Sequence, residues 1–514
     1  MHLRRPLTVS VGVCALAVGV GGQSGAAVPA MSVPAASGPA AAGPAVVISP
    51  GMVHARGPMS SPTTTAFCEQ HYKIACYEPA QLQQAYNLRP LLKRGIDGAR
   101  QTIVIVDSFG SPTVGHDLAI FDGAFGLPAP PSLKVIQPAG KVAPYMPTST
   151  RESWAGETEL DVEYAHVMAP GANILLVETP TSEEEGTSGF PQIVQAEEYV
   201  INHRLGGVIS QSFSATEQTF PTVKSLLGLR GAYIDAARKG ITVLAASGDS
   251  GAADVRYNET DYYLFRVTSW PDSDPLVTGV GGTQLHLGAA GNHIAPDSVW
   301  NDTYSKATNE FISGNAGRNP LAGGGGKSTV FSRPWYQNRV ARVVGSRRGV
   351  PDISMSGACN GAVDVYQSFA GQQAGWYPSC GTSEATPLFA GVVALADQVA
   401  GHPLGQINPA LYTLSARRAR GITDVRNGSN TVSFEQDGKL YTVKGFIALR
   451  GYDLASGVGT VNAEPFVYEL AKLAGQAKAA RSKAARSKAG RQDAAEPAPY
   501  RWHGPSGVIW TVRT

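Results

Sequence analysis

Residues 101 to 110 read QTIVIVDSFG, in which the five residues Thr102 to Val106 are all branched at Cβ and are followed by an aspartate. Branching at Cβ crowds a helix and suits a pleated strand, and an unbroken apolar run marks a strand covered on both faces. Three more stretches share the form: ANILLVET (172–179), GGVISQSFS (206–214) and GITVLAASGDSG (240–251). Helical patterns separate them, as in VKSLLGLRGAYIDAARKG (223–240), where Gly240 stands as a C-cap. The alternation predicts one α/β domain on a mostly parallel sheet. Functional groups in such sheets gather beyond the carboxyl ends of the strands, which singles out Asp107 and Asp249.

The chain has 514 residues and 43% hydrophobic content, as a soluble globular protein does. Lys+Arg 42 against Asp+Glu 40 leaves a formal charge of +2, which gives no electrostatic case for a nucleic-acid partner. Gly 59 and Pro 35 predict many turns. The basic MHLRR, the apolar PLTVSVGVCALAVGV and the small residues Ser24 to Ala26 have the form of a signal peptide over 1–26, so a secreted, extracellular protein is expected. No other apolar stretch approaches the roughly 20 residues that span a bilayer. Residues 27–66, rich in Ala, Pro, Ser and Gly, read as a flexible linker, 67–471 as the domain, and 472–514 as a basic low-complexity tail with a short C-terminal segment. Of Cys 5, Cys14 lies in the signal peptide. In an oxidising compartment the other four predict disulfides rather than metal thiolates, with nearest-neighbour pairing of Cys68 with Cys76 and Cys359 with Cys380 as one of three connectivities.

Chemistry concentrates in two places. GETELDVEYAHVMAPGA (156–172) sets Glu157, Glu159, Asp161 and Glu163 on about two turns of a helix. Glu157 and Asp161 stack at i, i+4, as do Glu159 and Glu163, and spacing leaves open which pair faces a site. CGTSEATPLFAGVVALADQV (380–399) opens an apolar helix with Ser383 near its start, where free N–H groups favour an anion. Such a serine is an ordinary N-cap or a nucleophile, and a nucleophile needs a base. His116 and His166 are the histidine candidates, neither in a strong context; His166 reads better as a structural histidine. A buried carboxylate with a raised pKa does the same work.

GTSEATPLFAG (381–391), GETELD (156–161) with APGA (169–172), AASGDSG (245–251) and GVPDIS (349–354) together resemble the sedolisins, serine-carboxyl peptidases of subtilisin-like fold that use Glu where subtilisins use His. The likeness runs from CYEPAQLQQAYNL (76–88) to GYDLASGVGTVNAEPF (451–466). It implies a doubly wound, mostly parallel sheet flanked by helices, Ser383 as nucleophile, Glu157 as general base, Asp161 as its orienter and Asp249 in the oxyanion hole. Glu159 and Glu163 are then left as a charged outer face. It also implies one structural Ca2+, held by the side chains of Asp424 and Asp453 and the carbonyls of Val425, Leu449 and Gly451, although two aspartates in turns equally form Asx-turns. Polypeptide substrates and a monomer are expected. An aspartyl oxyanion donor works only while protonated, so activity is expected at roughly pH 3 to 5.

Three departures stand out. Many sedolisins carry a large folded prodomain, and the roughly 40-residue linker is below domain size. Where some members have Glu after the first strand and Trp after the third, this chain has Asp107 and Phe213. Third, Cys380 immediately precedes the Gly-Thr-Ser of the nucleophile. The rival readings are a catalytically impaired pseudopeptidase acting as a binding protein, and a subtilisin-type Ser-His-Asp enzyme using Asp107, for which no Gly-His-Gly-Thr-like element is found. LAGGGGKST (321–329) resembles a phosphate loop but has Leu321 where that pattern needs Gly. Its glycines are expected to let backbone approach an extended substrate.

Overall fold

The computed structural model describes residues 57–314, 317–474 and 476, and the short strands Val53–His54, Trp502–His503 and Ile509–Trp510. The signal peptide, most of the linker and most of the tail lie outside the described residues. The run that opened the sequence reading forms the strand Thr102–Ser108. It is flanked in parallel by Asn173–Thr179 and Val208–Gln211. Outward on one side comes Leu133–Ile136; on the other come Thr242–Ala246 and Thr278–Gln284, also parallel. Ile353–Ser356 extends the sheet in parallel from Thr278–Gln284, and only Ser298–Val299 pairs antiparallel. The fold is the expected mostly parallel sheet flanked by helices.

The two faces of the central strand explain its composition. Ile103 and Ile105 point into one core with Leu160 and Tyr164 of the helix Ser149–Met168 and Leu388 and Phe389 of the helix Thr382–Ala400. Val104 and Val106 point into another with Phe190 and Ile193 of the helix Phe190–His203 and Tyr233 of Gly231–Lys239. Both sets are 0% exposed, so between Thr102 and Asp107 the strand leaves no position for a polar side chain. The pattern at 223–240 divides into two helices, Val223–Gly228 and Gly231–Lys239, where Arg230 leaves the helical face to form an ion pair with Asp274. Gly240 closes the second with φ +76°, as a C-cap does.

Folded contacts begin inside the stretch read as linker. Thr63 donates from its amide and hydroxyl to the Asp364 carboxylate, and Thr64 caps the helix Thr65–His71. The cysteines pair as nearest neighbours, Cys68 with Cys76 and Cys359 with Cys380. Among the described residues no helix is long and apolar enough to cross a membrane.

The helices Thr382–Ala400 and Ser149–Met168 pack against each other at Gly391. A Cβ there would stand 2.5 Å from the Met168 Cβ and 3.1 Å from the Ala165 carbonyl oxygen, neither of which can rotate away. Gly391→Ala gains up to about 1 kcal/mol in helix propensity, but forcing the crossing apart costs about 1 to 3 kcal/mol. A net loss is expected, read as a lower urea midpoint at unchanged slope; an unchanged or higher midpoint would show that the crossing opens freely.

Candidate active site

Thr148 caps the acidic helix by accepting from the Arg151 amide, and every residue from Trp154 to Met168 is buried. Packing against the sheet, the helix Thr382–Ala400, the helix Val114–Phe125 and the strand Ala362–Gln367 leaves it no wet face. Glu157 and Asp161 are both 0% exposed. The Asp161 Oδ1 accepts a 2.7 Å hydrogen bond from the Ser212 hydroxyl, just beyond the strand Val208–Gln211. Burial holds the Asp161 carboxyl well above the usual range, and the charges of Asp107 and Glu157 push it further. Asp107, at the end of the central strand, is itself pushed up to about 7 by burial, against a hydrogen bond from Thr158 and with repulsion from Glu178. Asp161 therefore lies under the influence of two other carboxyls.

The strand Gly375–Cys380 turns through Gly381, at φ +132°, into the helix that bears Ser383 as its second residue. The turn is fixed on one side by the Cys359–Cys380 disulfide and on the other by the Gly381 amide donating to the Gly357 carbonyl at 2.9 Å. Ser383 is fully buried, and its Oγ makes no hydrogen bond among the described residues. Asp249 arrives from the loop after Thr242–Ala246. Its Oδ1 accepts from the amide and the hydroxyl of Thr382, both at 2.7 Å, while its Oδ2 is buried with no partner. Burial pushes this carboxyl up to about 7 although the two Thr382 donors favour its ionised form. Pro387 has no amide to offer the Ser383 carbonyl one turn back. The Ser212 hydroxyl approaches that carbonyl at 3.4 Å, so Ser212 touches both Asp161 and the segment that bears Ser383.

Ser212 thus links Asp161 to the backbone of Ser383, and Thr382, the residue before Ser383, holds Asp249; Glu157 lies near enough to Asp161 for its charge to raise that carboxyl. One expectation needs correction. Glu159 and Glu163 do not form a charged outer face: both are 0% exposed. Glu159 accepts from Ser111 and faces Asp117, Glu163 accepts from the Tyr366 amide at 3.3 Å, and burial raises both well above the carboxylate range. The glycines of 323–325 pack closely on the chain's own backbone: a Cβ on Gly324 would stand 1.8 Å from the Ser247 carbonyl oxygen, two residues before Asp249. Ser328 and Thr329, the would-be phosphate ligands, bind the Glu217 carboxylate instead. His116 is engaged by Asp117, and the buried His166 by the Pro128 carbonyl and Asp122. Phe213 packs edge-on to Phe190 and beside Trp154, an apolar role. Sequence reasoning passed over Ser212; its place one residue past a buried strand was the available signal.

Asp424 and Asp453 converge on one loop. The Asp424 Oδ1 accepts from the Gly451 amide at 3.0 Å and the Asp453 Oδ2 from the Leu449 amide at 2.9 Å. Asp453 is 2% exposed and has no ion-pair partner among the described residues, and burial raises its pKa. The Asp453 Oδ1 also accepts from the Ala455 and Ser456 amides and the Ser456 hydroxyl, the bonding of a turn, while two carboxylates brought to one loop are the oxygen ligands that a hard cation takes. Arg426, 2.7 Å from the Asp424 Oδ2, is the competing positive charge. Val425 is buried against Val299, Ala448 and Ala455. No cluster of three or more His, Cys, Asp or Glu side chains occurs among the described residues, so further ligands would have to be carbonyls.

The subtilase family model matches residues 153–424, 272 of the 514 residues. Kumamolisin of Bacillus sp. (strain MN-32) is 32% identical over 394 residues, 75% of this chain and 62% of that protein. Sedolisin of Pseudomonas sp. (strain 101) is 28% identical over 367 residues, 71% of this chain and 57% of that protein. Tripeptidyl-peptidase 1 of Homo sapiens is 30% identical over 323 residues, 60% and 50%. The chain thus spans between 50% and 62% of the length of these curated relatives. The solved structure of Pseudomonas sedolisin, bound there to two molecules of pseudo-iodotyrostatin, superposes with a TM-score of 0.62 at 24% identity, over 79% of this chain and 99% of that one. At that identity the likeness speaks for the fold.

The buried carboxyls make stability depend on pH in a definite direction. Their folded pKa values are raised, so the folded chain keeps protons that the unfolded chain has released. This stability is complete below about pH 4, the unfolded value, and is lost as pH rises through about 7, where Asp107 and Asp249 titrate. The thermal midpoint is expected to fall between those pH values. Asp249→Asn, which cannot ionise, should make the decline shallower; an unchanged slope would show that Asp249 carries none of it.

Proposed function

The chain belongs to the subtilase family, in its sedolisin group of serine-carboxyl peptidases, and on that premise we propose that it is a secreted, acid-active endopeptidase working through a Ser383 acyl-enzyme. In this reading the Ser383 Oγ attacks the scissile carbonyl carbon and gives its proton to the Glu157 carboxylate. Asp161, hydrogen-bonded to Ser212, orients Glu157 and spreads the proton over the pair. The carbonyl oxygen becomes an oxyanion and accepts from the protonated Asp249 Oδ2, close to the positive end of the Ser383 helix. Collapse expels the amine, which takes its proton from Glu157, and leaves an ester on Ser383. Water, deprotonated by the same Glu157, then hydrolyses it.

The observation that carries this reading is Asp249. One of its oxygens is fixed by two donors from Thr382, beside the nucleophile; the other is buried, unpartnered and able to hold a proton up to about pH 7. A donor with that window suits an acid enzyme: loss of the proton puts a charge against the developing oxyanion. Export is supported by the N-terminal basic-then-apolar pattern and by the two disulfides. A monomer acting on polypeptides is the simplest form of the proposal. The Ser-His-Asp alternative is disfavoured because His116 and His166 are engaged by partners that include neither Ser383 nor Asp107.

Hydrolysis of a denatured protein at about pH 4 tests the reading. The wild type should cleave, while Ser383→Ala and Glu157→Gln each lose about a thousandfold or more, and Asp249→Ala loses on the order of 10² to 10³. A wild type without acid activity would instead favour the binding-protein alternative, and an optimum at neutral pH that survives Glu157→Gln would favour a histidine base.

One Ca2+ completes the proposal, held by the carboxylates of Asp424 and Asp453 with carbonyls of Val425, Leu449 and Gly451. It would compensate the buried Asp453 and tie the loop 449–451 to residue 424; no catalytic step passes through it. Excess chelator should lower the melting temperature, reversibly on adding Ca2+. An unchanged melt would leave the two aspartates as turn formers.

A further inference from the structure

Three glutamates stand in a row in SEEEG (182–186), the loop that follows the strand Asn173–Thr179, and the reaction proposed above uses none of them. Glu184 is exposed, but Glu183 is 1% and Glu185 6% exposed. The loop lies at the carboxyl end of the sheet, where the Glu183 amide donates to the Ser108 hydroxyl at 2.9 Å, one residue beyond Asp107. The chain that continues from Asp249 brings Asp254 to the same place. The Asp254 Oδ2 accepts from the Ser269 hydroxyl at 2.5 Å and lies 3.7 Å from where a Cβ on Gly248 would stand. The Gly248 amide donates to the Thr382 hydroxyl at 3.2 Å, which sets this loop against the turn that bears Ser383.

Glu185 is held in place: its Oε2 accepts from the Thr216 amide at 2.9 Å and the Thr219 hydroxyl at 2.7 Å, and Thr216 stands four residues past Ser212. Its amide donates to the Glu259 carboxylate at 3.0 Å, which joins the two loops. Glu183 has no such support, for its Oε1 is buried without a hydrogen-bond partner among the described residues. Burial pushes this carboxyl up, and so do the charges of Glu185, Glu259, Glu184 and Asp254, so it is aimed at them. None of these five acids has an ion-pair partner among the described residues. Aromatic rings stand beside them. Tyr257, 70% exposed, closes on Gly186, where a Cβ would stand 3.0 Å from its ring. Burial and then the charge of Glu185 raise the Tyr263 hydroxyl, and the Arg256 guanidinium already lies over the Tyr263 ring at 5.4 Å.

We propose that Glu183, Glu185 and Asp254 form a subsite that takes a lysine or arginine side chain of the polypeptide substrate. It rests on the reading of Ser383 as nucleophile, which makes this end of the sheet the substrate cleft. Carboxylates with aromatic faces beside them suit a charged head on a carbon stem, which lays its methylenes along the rings. No three acids converge as the ligands of one metal ion would among the described residues, whereas a guanidinium, with five donors, reaches acceptors that are spread apart. Burial raises all three carboxyls, so they hold protons that a bound cation releases, and affinity for the cation rises with pH. The other titratable and charged groups about them are Glu184 on the first loop, Asp249, Arg256, Glu259, Tyr262 and Tyr263 on the second, and Asp272 beyond Ser269.

Binding is measured by fluorescence anisotropy on the full chain carrying Ser383→Ala. The probes are a short acetylated peptide with one arginine and no other charge, the same peptide with citrulline in its place, and the citrulline peptide with a free amino terminus. The arginine peptide should bind about tenfold or more tightly than the citrulline peptide at about pH 6, and by a smaller factor at about pH 4. Glu183→Gln with Glu185→Gln keeps the side-chain shapes and removes their mutual repulsion, so folding, checked by its melt, should be retained while the factor falls below about threefold. Asp254→Asn, the second variant, should also reduce it. Equal binding of the arginine and citrulline peptides, a factor that the variants leave unchanged or that falls as pH rises, a gain that follows the free amino terminus instead of arginine, or no binding at all would each overturn the proposal. No turnover is needed, so failure here leaves the peptidase reading untouched, and failure of acid proteolysis leaves this measurement valid.

Discussion

An ionised carboxylate taken out of water costs several kcal/mol unless it is paired or hydrogen-bonded, and the helix Ser149–Met168 takes four out of water within seven residues. The parallel sheet imposes this. Its strands are apolar on both sides, so helices must cover both faces, and this one lies between the sheet, the helix Thr382–Ala400 and an outer layer. Nothing on its circumference remains wet. Burial therefore raises Glu159, Asp161 and Glu163 well above the carboxylate range, against the few donors that reach them.

That constraint sorts the four carboxyls by their neighbours. Glu157 and Asp161 face the carboxyl ends of the strands, where Asp107 and Ser212 emerge and where the Gly381 turn delivers Ser383. Glu159 and Glu163 face the outer layer and find Ser111 and the Tyr366 amide. Both pairs are desolvated, but only the first is tied, through Ser212, to the segment that bears Ser383. The same logic applies to Asp249: with one oxygen fixed on Thr382, it can only place its proton on the other.

The sheet was legible because burial on both faces writes itself into consecutive positions, as Ile103 to Val106 show. The position of Ser383 was legible from a glycine turn into an apolar helix, and Asp107 and Asp249 from their places after strands. The i, i+4 spacing did not reveal that both acidic pairs are buried, because the period of a helix reports which residues share a face and not what covers it; the outer layer comes from residues 114–125 and 362–367, remote in sequence. Ser212 was missed for a related reason. A serine after a strand is common, and its significance arises only when Asp161 and the Ser383 carbonyl, far away along the chain, arrive on either side of it.

Ser212 carries one hydroxyl proton and lies between two acceptors, the Asp161 Oδ1 at 2.7 Å and the Ser383 carbonyl at 3.4 Å. It can satisfy only one of them fully. An ionised Asp161 holds that proton firmly; a protonated Asp161 competes for it less, and the hydroxyl can turn towards the carbonyl that Pro387 leaves without a helical donor. One hydroxyl rotor thus stands between the Asp161 carboxyl and the first turn of the helix Thr382–Ala400, so that the charge of the one bears on the hydrogen bonding of the other.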